Sequence, residues 1–168
     1  ADFDGKIKLV GYEVIPASVR AGQDMTIKLV FQCLQEMPES TALFVHLDNQ
    51  GKFMNADHVP GRGSWPMDKW EVGQYIVDEH EVHVPGTWPG GKAELHVGFW
   101  DKKTKRRFQV RDSAAEVESN RVLVASVKVK GAPQRTGLTL QQRRQKIAAW
   151  LPKQAPPMDK QVKAVFGN

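Results

Sequence analysis

Along the first 130 residues, apolar and polar positions alternate with a period of two. Met25, Ile27, Leu29, Phe31 and Cys33 take every second place in one run, and similar runs recur along the chain. Alternation of this kind, in short runs rich in β-branched and aromatic residues, is the signature of half-buried strands. It predicts strands near 6–15, 24–33, 42–48, 53–58, 75–84, 93–100, 106–111 and 120–130. Asp48-Asn49-Gln50-Gly51 lies between two of them and reads as a hairpin turn, because Asn and Gly tolerate positive φ. Asp101-Lys102-Lys103-Thr104-Lys105 predicts a second hairpin. No helix-length amphipathic segment separates the strands, which excludes repeated βαβ units. The pattern predicts an all-β, antiparallel sandwich of immunoglobulin-like or jelly-roll type.

The alternation stops at Gly131-Ala132-Pro133, dividing the chain into a sandwich domain (1–131) and a tail (132–168). Thr139 and Gln142 have the spacing of a capping box. Leu140, Ile147 and Leu151 then share a helical face, and Pro152 is expected to stop the helix. Ala155-Pro156-Pro157 predicts an extended arm beyond it. The net charge of +5 belongs to this tail, where seven basic residues face the single acid Asp159. The first 131 residues are close to neutral. A basic helix with an apolar stripe can dock on a partner, which makes Leu140, Arg143, Arg144, Lys146, Ile147, Trp150 and Leu151 the candidate partner-binding residues.

No run approaches the roughly 20 apolar residues that cross a bilayer. The chain begins at Ala1, as removal of a signal peptide or trimming to one domain would leave it. Export to the periplasm or another extracytoplasmic space is the expectation. Cys33 is the sole cysteine; it falls in an alternating run and reads as a small core hydrophobe.

Phosphate-cradling loops and the GxSxG and HExxH signatures are absent. His80 and His83 point to opposite faces of one strand, whereas His46 and His96 sit on the less apolar faces of theirs and can meet across a sheet. No third ligand accompanies either pair, so no metal and no cofactor are expected. Glu79 and Glu81 share a face that Asp78 does not, and they read as strand-edge charges rather than as a glycosidase pair. The body has no basic face for nucleic acid. The loops are more informative. Residues 59–74 carry Arg62, Trp65, Lys69 and Trp70, and residues 85–92 carry Trp88. In an up-and-down arrangement, loop 59–74 shares an end with 101–105. Arg62, Trp65, Lys69, Lys102, Lys103 and Lys105, with Trp88 at the other end, are therefore the candidate ligand-binding residues.

Leu9-Val10-Gly11-Tyr12, Pro16, Val19-Arg20-Ala21-Gly22-Gln23, Phe44-Val45-His46-Leu47, Asp57, Pro60-Gly61, Pro66, Trp70-Glu71-Val72-Gly73, Asp78 and Val97-Gly98-Phe99-Trp100-Asp101 follow one another in a familiar order. Over about residues 3–112 the chain resembles a bacterial extracytoplasmic β-sandwich domain. That domain is appended to polytopic membrane glycosyltransferases of the lipid-linked-sugar type or stands in exported proteins. The resemblance implies an outward location, no catalytic residue, and a structural role for Trp70.

Together these features predict a non-catalytic binding or scaffolding subunit at the outer side of a membrane. Its basic tail would tie it to the other protein chains of a membrane complex. A carbohydrate-binding module that uses the loop tryptophans on a glycan is the alternative.

Overall fold

The computed structural model describes residues 1–131 and 140–154. The chain divides into two units, Ala1–Ala132 and Pro133–Asn168, taken here separately.

The first unit is a β-sandwich. One sheet has five strands in the order β7-β4-β2-β1-β9, formed by Tyr75–His83, Asp24–Cys33, Ile7–Ile15, Asp2–Phe3 and Val110–Asp112. The other has six main strands, of which five lie in the order β10-β11-β8-β5-β6: Val117–Glu118, Arg121–Lys130, Gly91–Asp101, Thr41–Asn49 and Lys52–Asn55. The sixth, β3 (Ser18–Arg20), pairs in parallel with β11. The first long segment thus divides between the sheets, β2 in one and β3 in the other, with a cis Ile15–Pro16 bond between them. All other pairings are antiparallel.

The alternation places the core where expected. Met25, Ile27, Leu29, Phe31 and Cys33 from β4 meet Leu43, Val45, Leu47, Leu95, Val97 and Phe99 from the opposing sheet. Phe31 stacks on Trp70 at 5.8 Å and meets the edge of Phe99 at 5.3 Å. Trp70 therefore plugs the sandwich. Cys33 is fully buried, and that burial raises its thiol pKa and keeps it protonated.

Several elements differ from expectation. The strand expected at 53–58 ends at Asn55, because Asp57 turns back to accept the Val45 N–H at 2.8 Å. The strand expected at 106–111 is reduced to Val110–Asp112, because the chain changes sheets within it. Phe108 bonds to Phe99 in one sheet, and Val110 pairs with Phe3 in the other. Strands β1, β3 and β10, each two or three residues long, are too short to show a period. In the first hairpin the positive φ falls on Gln50 and Gly51, while Asn49 stays in the strand and donates to the Pro89 carbonyl at 2.9 Å. β11 is apolar on both faces near Val122–Ala125, where a bulge interrupts its register; on its outer edge β10 pairs with Arg121–Val122 and β3 with Lys128–Lys130.

In the second unit, α1 spans Leu140–Gln154. It runs two residues past Pro152, where a stop was expected. Proline removes the bond to the Ala148 carbonyl, but its fixed φ is helical, so the final turn can contain it. Leu140 and Ile147 are 77 % and 56 % exposed, and Arg144 and Lys146 are exposed beside them. Arg143, Trp150 and Leu151 lie in the helix with side chains outside the described ones. Thr139 of the expected capping box and the expected arm from Ala155 also lie outside the described residues. No described helix is long and apolar enough to cross a membrane.

Candidate functional site

On the six-stranded sheet, β5 and β8 turn Ala42, Phe44, His46 and Asp48, and Glu94, His96, Gly98 and Trp100, away from the core. His46 and His96 are direct cross-strand partners, as their positions on the less apolar faces suggested. This outward face is not simply solvated. Phe44 is only 3 % exposed, because its ring lies across Gly98. A Cβ at position 98 would stand 2.2 Å from the Phe44 ring, so only glycine fits. The Arg107 guanidinium covers the ring at 4.8 Å. His46 leans on Phe44 at 4.9 Å and on the edge of Phe53 at 4.7 Å, and burial lowers its pKa below the ordinary 6.5, so it is neutral at pH 7.

Towards the 50–51 turn, the same face carries an ionic network. Arg121 reaches over from β11 to Asp48 at 2.6 Å and also binds Glu118. That hydrogen bond to Arg121 holds the Glu118 carboxylate below its usual range. His96 Nδ1 lies 3.1 Å from Asp48 Oδ2, out of line for a hydrogen bond, and is buried without another partner among the described residues. Lys92 binds Glu94 at 3.0 Å. With Lys52, Gln50 and the Phe53 ring, which is 55 % exposed, these side chains line an open cleft of about 510 Å³. Three carboxylates and three cations balance in it.

At the other end of β5, a smaller cleft of about 260 Å³ lies between Thr41–Leu43, Val59, Pro66, Met67, Trp100 and Lys102. Loop 59–74 and the 101–105 hairpin do meet here, although the strands cross between sheets rather than running up and down. Of the loop candidates, Lys102 alone lines this cleft. Lys105 sits over Trp100 at 5.1 Å, and the Lys103 N–H completes the turn on Asp101. Lys69 pairs with Asp68 at 3.2 Å. Arg62 is solvated, 3.7 Å from Glu79, and lines a separate cleft. Trp65 is 42 % exposed, and its carbonyl accepts the Trp70 indole N–H. Trp88 is 6 % exposed and packs in the core, so it offers no ring face to a glycan.

The residues that build this face were not among the sequence candidates. His46 and His96 were paired correctly, but Asp48, Phe53 and Arg121 stand on three different strands and no local spacing links them. His58 has no local signal in the sequence. It donates to Asp78 Oδ2 at 2.6 Å and stacks on His80 at 3.7 Å, behind loop 59–66. Among the described residues no three His, Cys, Asp or Glu side chains are gathered as metal ligands.

No protein-family model matches the chain, and no curated protein matches it in sequence. Among solved structures it is similar to the C-terminal domain of wzt, at 11 % identity over 78 % of this chain and 77 % of that one, with a TM-score of 0.51. It is also similar to a Niemann-Pick type C2 protein from Japanese carpenter ant, at 10 % identity over 77 % of this chain and 98 % of that one, with a TM-score of 0.48. Identity this low speaks to fold alone, and the second score is too low to carry an argument. The first likeness and the strand order agree that residues 1–131 form an antiparallel β-sandwich.

Proposed function

We propose that this chain is a non-catalytic binding domain that works on the outer side of a membrane, and that the outward face of its six-stranded sheet holds an uncharged saccharide. One observation carries the ligand class. The Asp48–Arg121–Glu118 network and His96 form a partly buried polar floor beside the exposed Phe53 ring. Hydroxyl groups of a sugar need fixed acceptors and donors of this kind, and the apolar face of a sugar ring packs on an aromatic side chain. Charge balance across the cleft favours a neutral ligand over an acidic one. The carboxylates support binding rather than hydrolysis, since a glycosidase needs one carboxyl whose pKa is raised. Glu118 is held in the opposite direction by Arg121, and Asp48 and Glu94 are each paired with a cation. The outward location follows the resemblance to extracytoplasmic sandwich domains.

Calorimetric titration of the full chain with panels of neutral and acidic oligosaccharides tests this reading. Saturable binding of a neutral glycan is expected, weakened about tenfold in Phe53→Ala and lost in Arg121→Ala. Binding that survives both substitutions places the ligand elsewhere, and preference for acidic glycans contradicts the charge argument.

A second reading has its own observation. Leu140 and Ile147 are exposed on α1, and Arg144 and Lys146 are close by, as a tether to another protein chain requires. Ile147→Asp should then release co-purifying chains at any ionic strength. Paired Arg143→Ala and Arg144→Ala substitutions should weaken association mainly at low salt. If both variants retain the same partners, the helix is not the tether.

A further inference from the structure

His58 is held on both ring nitrogens. Nδ1 lies 2.9 Å from the Ala56 carbonyl oxygen, and Nε2 lies 2.6 Å from Asp78 Oδ2. A carbonyl and an ionised carboxylate can only accept, so satisfying both contacts requires a proton on each nitrogen and makes His58 an imidazolium. Asp78 is fully buried, and its other oxygen accepts the Gly61 N–H at 2.9 Å. Against one face of the His58 ring lies His80, with centroids 3.7 Å apart and planes within 10°. Two stacked imidazoles at this distance cannot both carry charge without strong repulsion.

These contacts tie down a loop. After Ala56 the chain leaves the sheet and folds on itself, with Gly63 N–H bonding to Val59 and Trp65 N–H bonding to Pro60. Gly61 has a φ of +66°, and a Cβ there would meet Trp65 at 2.8 Å. The loop is thus a compact unit attached to β7 through Asp78. It also walls the smaller cleft through Val59, Pro66 and Met67, and its Asp57 caps Val45 N–H 3.5 Å from His46 on the sheet face.

We propose that the stacked His58–His80 pair, bonded to Asp78 through His58, carries a single positive charge and is a latch on loop 56–66, closed near neutral pH and released by both acid and alkali. In alkali His58 keeps a single N–H, so one ring nitrogen turns a lone pair toward either Ala56 or Asp78. In acid His80 gains a second positive charge against His58. Other ionisable groups surround the pair. Glu79 and Glu81 of β7 and Arg62 of the loop share its open cleft. Asp57, Glu39 and Lys102 line the cleft on the other side of His58.

The titration directions agree with the geometry. Burial works against a charge on His58, but the hydrogen bonds to Asp78 and Ala56 outweigh it and raise the pKa above the ordinary 6.5. Its contribution is complete below 6.5 and is lost as pH rises through the raised value. Burial, followed by the His58 charge, lowers the His80 pKa. That contribution is complete above 6.5 and is lost as pH falls through the lowered value. The two limbs leave a maximum between them.

The test needs no ligand. Long-range proton–nitrogen spectra of the full chain should show His58 protonated on both nitrogens and His80 neutral at about pH 6.5. Amide exchange of Gly61, corrected for intrinsic rate, should be slowest there. It should accelerate by up to about tenfold per pH unit as pH rises from 6.5 toward the raised His58 value or falls from 6.5 toward the lowered His80 value, and level off beyond them. His80→Phe keeps a flat ring in the stack, so it should abolish the acid limb and leave the alkaline limb. His58→Gln should abolish both. If the Gln variant does not fold, the Phe variant still decides. A neutral His58 at that pH, a flat exchange profile, or an acid limb unchanged in His80→Phe would each overturn the latch.

Discussion

The two outward faces of the sandwich differ in a way that separates a surface from a site. On the five-stranded sheet, outward residues stay exposed, and the ion pairs among them, such as His83–Asp24 at 2.6 Å, are solvated. Tyr75 and Val77 are exposed, and Lys28 meets Glu13 only at 3.9 Å. Such a face costs little to maintain and contributes little, since exposed ion pairs are worth about 0–1 kcal/mol. On the six-stranded sheet the outward residues bury one another. Phe44 fills the space over Gly98, Arg107 covers it, and Arg121 spans from β11 to Asp48. Partly burying charges there is costly unless they are paired and hydrogen-bonded. A sandwich needs no such layer for stability, because the core between its sheets is complete without it. The difference supports the proposal that the six-stranded face is the one kept for binding.

The largest expected effect is at Asp78. Asp78→Ala removes the anion beneath His58 and leaves an imidazolium with no counter-charge. The expected loss is about 3–5 kcal/mol in urea unfolding. A loss under about 1 kcal/mol would show that His58 is neutral or that the loop is not anchored through Asp78. Gly98→Ala comes next. The added methyl must displace the Phe44 ring, which should cost about 1–3 kcal/mol and also weaken glycan binding. Unchanged stability would mean that the ring moves aside freely and the layered face is not rigid.

Phe53→Ala should shift stability by no more than about 0.5 kcal/mol, because the ring is largely exposed. It should nevertheless weaken glycan binding by about tenfold, equivalent to about 1.4 kcal/mol. Smallest of all is Val77→Thr on the other sheet, expected within about 0.5 kcal/mol in stability and with no change in binding. If Val77→Thr impairs binding as much as Phe53→Ala, the two faces have been assigned the wrong way round.

Much of the scaffold was legible because the sandwich core obeys a local rule. The run Met25 to Cys33 alternates without interruption, and the predicted and observed bounds of β4 coincide. The failures occur where the chain serves more than one layer. Residues 106–111 alternate, yet the segment divides between two sheets, which a local pattern cannot reveal. The site was harder to read for a related reason. Trp88 stood out as a loop aromatic but packs inward, whereas Phe53 looked like an ordinary strand residue and stands outward. Asp48, His96 and Arg121 come together only through strand order, and neighbours across a sheet leave no mark in sequence spacing. His58 was overlooked because its partners, Asp78 and His80, lie on a strand of the opposite sheet.

The most direct test is a map of where ligand binds. The nitrogen-labelled full chain, titrated with a ladder of neutral oligosaccharides, should show saturable amide shifts at Asp48, Phe53, Glu94, His96 and Arg121, with Tyr75–His83 unmoved. Shifts centred on the five-stranded face, or no saturable shift with any neutral oligosaccharide at millimolar concentration, would contradict the assignment of the six-stranded face as a saccharide site.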